Sequence, residues 1–143
     1  MSDQDPLNLH ANAVAVQGRG LLIKGGSGSG KSGLTLSLMA LGASLVADDR
    51  TIVSRSGAGL NMAPHPELAG LIEARGIGLL HAEFASTAQM VAVLDLDHKE
   101  CDRLPPDRDI SLLGVTVPLL FNFSSPYFPA GLIQFLKGGR RDT

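Results

Sequence analysis

The sequence predicts an α/β domain, a mixed sheet that carries a P-loop and has helices on its flanks. Three observations predict it. Gly25-Gly26-Ser27-Gly28-Ser29-Gly30-Lys31-Ser32 fits G-x-x-x-x-G-K-[ST]. The apolar run Leu21-Leu22-Ile23 precedes that loop as a strand and Leu34 to Leu41 follows it as a helix, which is the context the motif needs. Much of the remaining chain is short apolar runs cut by turn residues, with 17 glycines and 8 prolines in 143 residues.

In order along the chain, residues 1–9 read as a flexible lead-in. Ala13 to Val16 is a strand, Gly18-Arg19-Gly20 a turn, and Leu21 to Lys24 the return strand. That makes a β-hairpin feeding the loop, unusual for P-loop enzymes, whose first strand sits in a parallel sheet. The helix runs from about Lys31 to Leu41, is apolar on most faces and stops at Gly42. Ala43 to Ala47 is a strand ending in Asp48-Asp49-Arg50, and Thr51 to Val53 continues beyond it. Ser56-Gly57-Ala58-Gly59 turns the chain back toward Leu60 to Met62, and Pro64 and Pro66 break regular structure. Glu67 to Ala74 is expected as a short helix stopped at Arg75-Gly76, with Ile77 to Leu80 a strand. Gln89 to Leu96 is the clearest strand of the second half. Asp97 to Asp109 is charged, holds Pro105 and Pro106, and reads as a surface loop or short helix. Val115 to Phe123 is a strand that Pro118 marks as an edge or bulge. Pro129 to Leu136 is a terminal helix, and residues 138–143 a flexible tail.

At 143 residues the chain is expected to be one domain, large enough to bury a core without disulfides. A formal net charge of −2 argues against nucleic-acid binding through bulk charge. The N-terminus lacks the basic and apolar regions of a signal peptide, and no apolar run has the length of a membrane span. The single cysteine, Cys101, suits a reducing cytoplasm. His65, His81 and His98 have no zinc-like spacing to Cys101 and read as surface or packing residues.

The chemistry begins at the loop. Glycines let backbone approach a phosphate with no Cβ in the way, and the loop N–H groups with the helix N-terminus make an anion cradle. Lys31 is placed to reach the β- and γ-phosphates, and the Ser32 hydroxyl to ligate Mg²⁺. Asp48 and Asp49 end an apolar strand, where carboxylates in a P-loop protein manage metal and nucleophile. One can hold Mg²⁺ and the other accept a proton from an attacking hydroxyl. Glu73 can complete a metal shell, and Arg75 can steady phosphate charge with its planar fork. From spacing alone, though, Glu73-Ala74-Arg75-Gly76-Ile77-Gly78 reads as an exposed helix end.

Three features in this order resemble the catalytic domain of the HPr kinase/phosphorylase family: the P-loop Gly25 to Ser32, Leu45-Val46-Ala47-Asp48-Asp49-Arg50, and Glu73-x-Arg75-Gly76-Ile77-Gly78. His10 falls where that family has a histidine before the hairpin, and the likeness covers roughly residues 8–123.

The resemblance implies a core like that of phosphoenolpyruvate carboxykinase. It implies an ATP- and Mg²⁺-dependent kinase acting on a serine of the phosphocarrier protein HPr, with phosphorolytic dephosphorylation as the reverse. Asp48 then resembles the general base, while Asp49, Ser32 and Glu73 resemble metal-side residues and His10 supports the carboxylates. Lys31 is the phosphate-binding lysine, and Arg75, Gly76 and Gly78 lie on the phosphate side. A cytoplasmic homo-oligomer, a hexamer in that family, is expected too. The chain is similar to the family's shortened form without an N-terminal domain. It departs from the family at Gly33, where glutamate is usual, and at Tyr127 to Gly131, where no arginine occurs. A kinase with another acceptor, or a non-catalytic nucleotide-binding module, are the alternative expectations.

Overall fold

The computed structural model describes residues 5–141, and the first four and last two residues lie outside it. The strands are β1 (Leu7–Leu9), β2 (Ala11–Val16), β3 (Arg19–Lys24), β4 (Ser44–Ala47), β5 (Thr51–Ser56), β6 (Gly59–Pro64), β7 (Leu71–Ala74), β8 (Gly78–His81), β9 (Ala88–Lys99), β10 (Asp109–Leu112) and β11 (Val115–Asn122). The helices are α1 (Lys31–Ala40) and α2 (Phe128–Gly138), with a 3₁₀ turn at Pro66–Leu68.

The main sheet runs β1-β5-β6-β9-β3-β2-β4, and β11, carrying β10 on its outer side, also joins β9. The sheet is mixed, as expected. β3 pairs antiparallel with its hairpin partner β2 and parallel with β9. β9 has β3 along one edge, and β6 and then β11 along the other. Its alternation explains how it serves two cores. Ala88 and Met90 point to one face, and Ala92, Leu94 and Leu96 to the opposite one. All five positions are even, so the facing must reverse between Met90 and Ala92. A bulge there, where Gly20 pairs with Met90 and Leu21 with Ala92, supplies the reversal.

One face of the sheet is covered by α1 and α2, with Val14, Leu21, Ile23, Leu94, Leu38, Leu132 and Leu136 buried between. The other face buries Leu22, Val46, Val53, Leu60, Met62 and Val93. No helix among the described residues is long and apolar enough to cross a membrane.

Four expectations are corrected. The expected helix over Glu67 to Ala74 is instead a 3₁₀ turn followed by β7, which forms a separate hairpin with β8. Gly70 stands at φ 74°, breaking any helix, and beyond it Ile72 and Ala74 are buried while Glu73 is exposed, a period of two. The lead-in is not loose over Leu7–Leu9, which pairs with β5 and rests both leucines on the core. Of the segment expected as loop or short helix, Asp97 to Lys99 prolong β9 and Asp109 opens β10. The tail expectation is corrected at its start, since Gly138 closes α2 and Arg140 pairs with Asp107 at 2.7 Å; residues 142–143 lie outside the described residues. Between β9 and β10, a hydrogen bond from Arg108 holds the Glu100 carboxyl below its ordinary value, against the opposing effect of burial.

Candidate active site

β3 ends at Lys24, the loop spans Gly25 to Gly30, and α1 begins at Lys31. Gly28 and Gly30 stand at φ 81° and 98°, a region open to glycine and costly for other residues. Gly30 caps α1 with no side-chain hydrogen bond, which leaves first-turn N–H groups for an anion. The Ser29 N–H donates to the Gly26 carbonyl at 3.0 Å, folding the loop on itself. Lys31 is buried, and its Nζ donates to the carbonyls of Gly25 (2.7 Å) and Gly26 (3.3 Å).

Asp48 is buried at the end of β4. Its Oδ1 accepts from Ser32 Oγ and from Asn12 Nδ2, both at 2.8 Å, and its Oδ2 accepts from the Glu73 N–H at 2.9 Å. One carboxylate thus ties together β2, α1, β4 and β7. Asp49 differs. It is the apex of a three-residue turn closed by the Arg50 N–H donating to the Asp48 carbonyl at 2.9 Å, and its φ is 72°. Its side chain is 55 % exposed and, among the described residues, has one partner, His10 Nε2, 3.0 Å from Oδ1.

Asn12 is the residue that reading the sequence missed. It is fully buried, donates to Asp48 and to Thr35 Oγ1 (3.0 Å), and its Oδ1 accepts from the Asp49 N–H at 2.9 Å. Only one orientation of the amide serves these partners. The signal was an asparagine within the otherwise apolar run Ala11 to Val16.

These groups share one cavity of about 730 Å³. His10, Ser27 to Ser32, Asp48, Asp49, Glu73 and Arg75 all line it, with Leu68, Leu71, Ile77 and Leu79 on the side of the β7–β8 hairpin. Gly25 and Gly26 stay out of the lining and bind Lys31 by their carbonyls instead. Gly76 and Gly78 are outside it too: at φ 85° and 136° they shape the hairpin turn.

The donors present fit Mg²⁺. Ser32 Oγ and the Asp48 carboxylate are adjacent oxygen donors beside the loop, and Mg²⁺ takes one or two such protein ligands with phosphate oxygens and water. Of the expected set of Ser32, Asp49 and Glu73, Ser32 is in contact with Asp48, and all three line the cavity. No group of three or more His, Cys, Asp or Glu side chains placed to hold a metal occurs among the described residues.

The family described as HPr Serine kinase C-terminal domain matches residues 4–119. This chain belongs to that family. Its relatives include HPr kinase/phosphorylase of Chloroherpeton thalassium, 36% identical over 124 residues, which cover 78% of this chain and 36% of that protein. Another, from Chlorobium limicola, is 37% identical over 134 residues, covering 84% of this chain and 40% of the relative. The chain therefore spans well under half the length of these relatives. The structure of the Hpr(Ser) kinase/phosphatase from Coxiella burnetii matches with a TM-score of 0.77 and 21% identity, over 92% of this chain and 94% of that one. The mixed sheet with its two helices is thus the fold of that protein.

Proposed function

We propose that this domain transfers the γ-phosphoryl group of ATP to a serine of the phosphocarrier protein HPr, with Mg²⁺ as cofactor. The observation that carries the reading is the single cavity in which the P-loop with Lys31 faces an exposed carboxylate–histidine pair, Asp49–His10. Membership of the family and the names of the relatives supply the acceptor.

The first-turn N–H groups of α1 and Lys31 would hold the polyphosphate, Lys31 through the ammonium N–H that its bonds to the Gly25 and Gly26 carbonyls leave over. Ser32 and Asp48 would hold Mg²⁺, which when bound neutralises charge on the β- and γ-phosphates. The geometry favours Asp49 over Asp48 as the base. Three donors already engage the Asp48 carboxylate, one of them the Ser32 hydroxyl. Asp49 opens on the cavity, and among the described residues its Oδ2 has no partner. Asp49 would take the serine hydroxyl proton as that oxygen bonds to the γ-phosphorus and ADP leaves, while His10 orients the carboxylate. Arg75, across the cavity, would steady charge on the transferred group. In the phosphorolytic direction, inorganic phosphate attacks the seryl phosphate and Asp49 returns the proton to the leaving serine oxygen.

Intact-mass spectrometry of HPr incubated with this protein, ATP and Mg²⁺ tests the reading. The expected result is one added phosphoryl group that a Ser→Ala HPr does not gain. ATP binding with no transfer to HPr would overturn the acceptor and leave a nucleotide-binding module or a kinase of another substrate.

A further inference from the structure

The peptide joining Gly25 and Gly26 has no side chain on either flank to fix its plane, yet both its polar atoms are engaged. The Gly26 N–H points at Asp97, whose Oδ1 and Oδ2 both lie 3.0 Å away. The Gly25 carbonyl accepts from Lys31 Nζ at 2.7 Å. In a planar trans peptide the N–H and C=O point in opposite directions, so whatever holds the N–H decides where the C=O points. With glycine on both sides, turning that plane costs little and needs an outside restraint.

Asp97 is placed for this by the sheet. The β3–β9 ladder ends at Lys24 opposite Asp95, and β9 runs on, bringing Asp97 beside the start of the loop. The Asp97 N–H donates to Asp95 Oδ1 at 2.9 Å. Asp95 is itself buried, and its Oδ2 lies 2.9 Å from His98 Nδ1 and 3.8 Å from Lys24 Nζ. The strut therefore rests on an anchored base.

We infer that Asp97 is a positioning residue: it clamps the Gly25–Gly26 peptide and through that plane aligns Lys31 for the polyphosphate. This rests on the nucleotide-binding reading above, and Asp97 itself touches no substrate.

The test uses Asp97→Ala, Asp97→Asn, Lys31→Met and the Asp97→Ala/Lys31→Met double variant, each checked for folding by thermal melt. Two readouts are taken: hydrogen exchange of the Gly26 amide without nucleotide, and the Kd for ATP with Mg²⁺. In Asp97→Ala, Gly26 exchange should speed up and Kd rise, each about tenfold, the scale of one lost hydrogen bond to a charged acceptor. Asp97→Asn keeps an acceptor oxygen and should stay within about threefold on both. In the Lys31→Met background, Asp97→Ala should add less than about twofold to Kd, because a residue acting through Lys31 has nothing left to align. Unchanged Gly26 exchange in Asp97→Ala overturns the clamp. A full loss of affinity persisting without Lys31 reduces Asp97 to a structural residue, and tighter ATP binding in either variant means that its charge opposes the nucleotide; both overturn the inference. A folded wild-type protein that binds no ATP refutes the nucleotide reading instead, and the exchange readout then decides the clamp alone.

Discussion

Two neighbouring aspartates face different partners because their backbones differ, and the proposed division of roles rests on that difference. Asp48 ends a strand and turns inward to Asn12, Ser32 and the Glu73 N–H, whereas Asp49, at φ 72°, is thrown outward to His10. Asp49→Asn should therefore leave ATP binding within about threefold and lower transfer by about 10²–10⁴-fold, the range for loss of a general base. Asp48→Asn should act differently. An amide has one acceptor oxygen where the carboxylate has two, so an NH₂ group would face a donor, destabilising the site by about 1–3 kcal/mol and weakening ATP binding. Titration with ATP, single-turnover transfer and melting curves separate the two. Normal transfer in Asp49→Asn, with transfer lost but binding intact in Asp48→Asn, would return the base to Asp48. Reading the sequence found the pair, and the resemblance made Asp48 the base and Asp49 a metal-side residue; the proposal here exchanges those roles on the strength of the geometry. Nothing in Ala47-Asp48-Asp49-Arg50 announces a left-handed apex at Asp49, which depends on Asn12 receiving its N–H from another strand.

At the scale of elements, the reversal of facing in β9 depends on close approach at Gly20. A Cβ there would run into Met62 Cε and lie 2.9 Å from the Gln89 carbonyl and 3.2 Å from Ala88 Cβ. The methionine end can move, but the strand carbonyl cannot without disturbing the ladder. Gly20→Ala should cost about 1–3 kcal/mol, as overpacking does, seen as a lower melting temperature. An unchanged melting temperature would show that the bulge absorbs the methyl. Here too the sequence was partly legible. Gly18-Arg19-Gly20 announced a hairpin, but the turn itself is Gln17-Gly18, and Gly20 lies within β3, packed against β6 and β9, which needs long-range pairing to see. The strands marked by continuous apolar runs, β2, β3 and the middle of β9, were found, with β2 and β3 each beginning two residues earlier than expected. β7 was not, since Glu67 to Ala74 is short enough for either period until Gly70 is seen to break it. β10 escaped because Asp109–Leu112 is half-exposed and is held by pairing with β11.

Across the whole molecule, the site and the point at which α2 is tied to the sheet lie at opposite ends of β3. The P-loop follows Lys24, while at the other end Arg19 Nε donates to the Leu136 carbonyl at 2.6 Å, tying α2 to the sheet. Six residues of strand separate the two ends, roughly 20 Å at about 3.3 Å per residue. Leu136 is wholly buried in the core layer shared by α1, α2 and the sheet. Leu136→Ala should thus cost about 2–5 kcal/mol through lost transfer energy and the cavity left behind. For a domain of this size that is a fall of roughly 6–20 °C in melting temperature. Typical domains have about 5–15 kcal/mol to lose, so the variant should still fold in the cold. There its ATP affinity should match the wild type within about twofold, because the loop, Lys31 and the Asp48 cluster draw on β2, the first turn of α1, β4, β7 and the end of β9, not on the Arg19 end of β3. Melting curves and ATP titration at low temperature check both halves. Affinity falling in step with stability would mean that α2 braces the P-loop through α1, coupling the helical layer to the site.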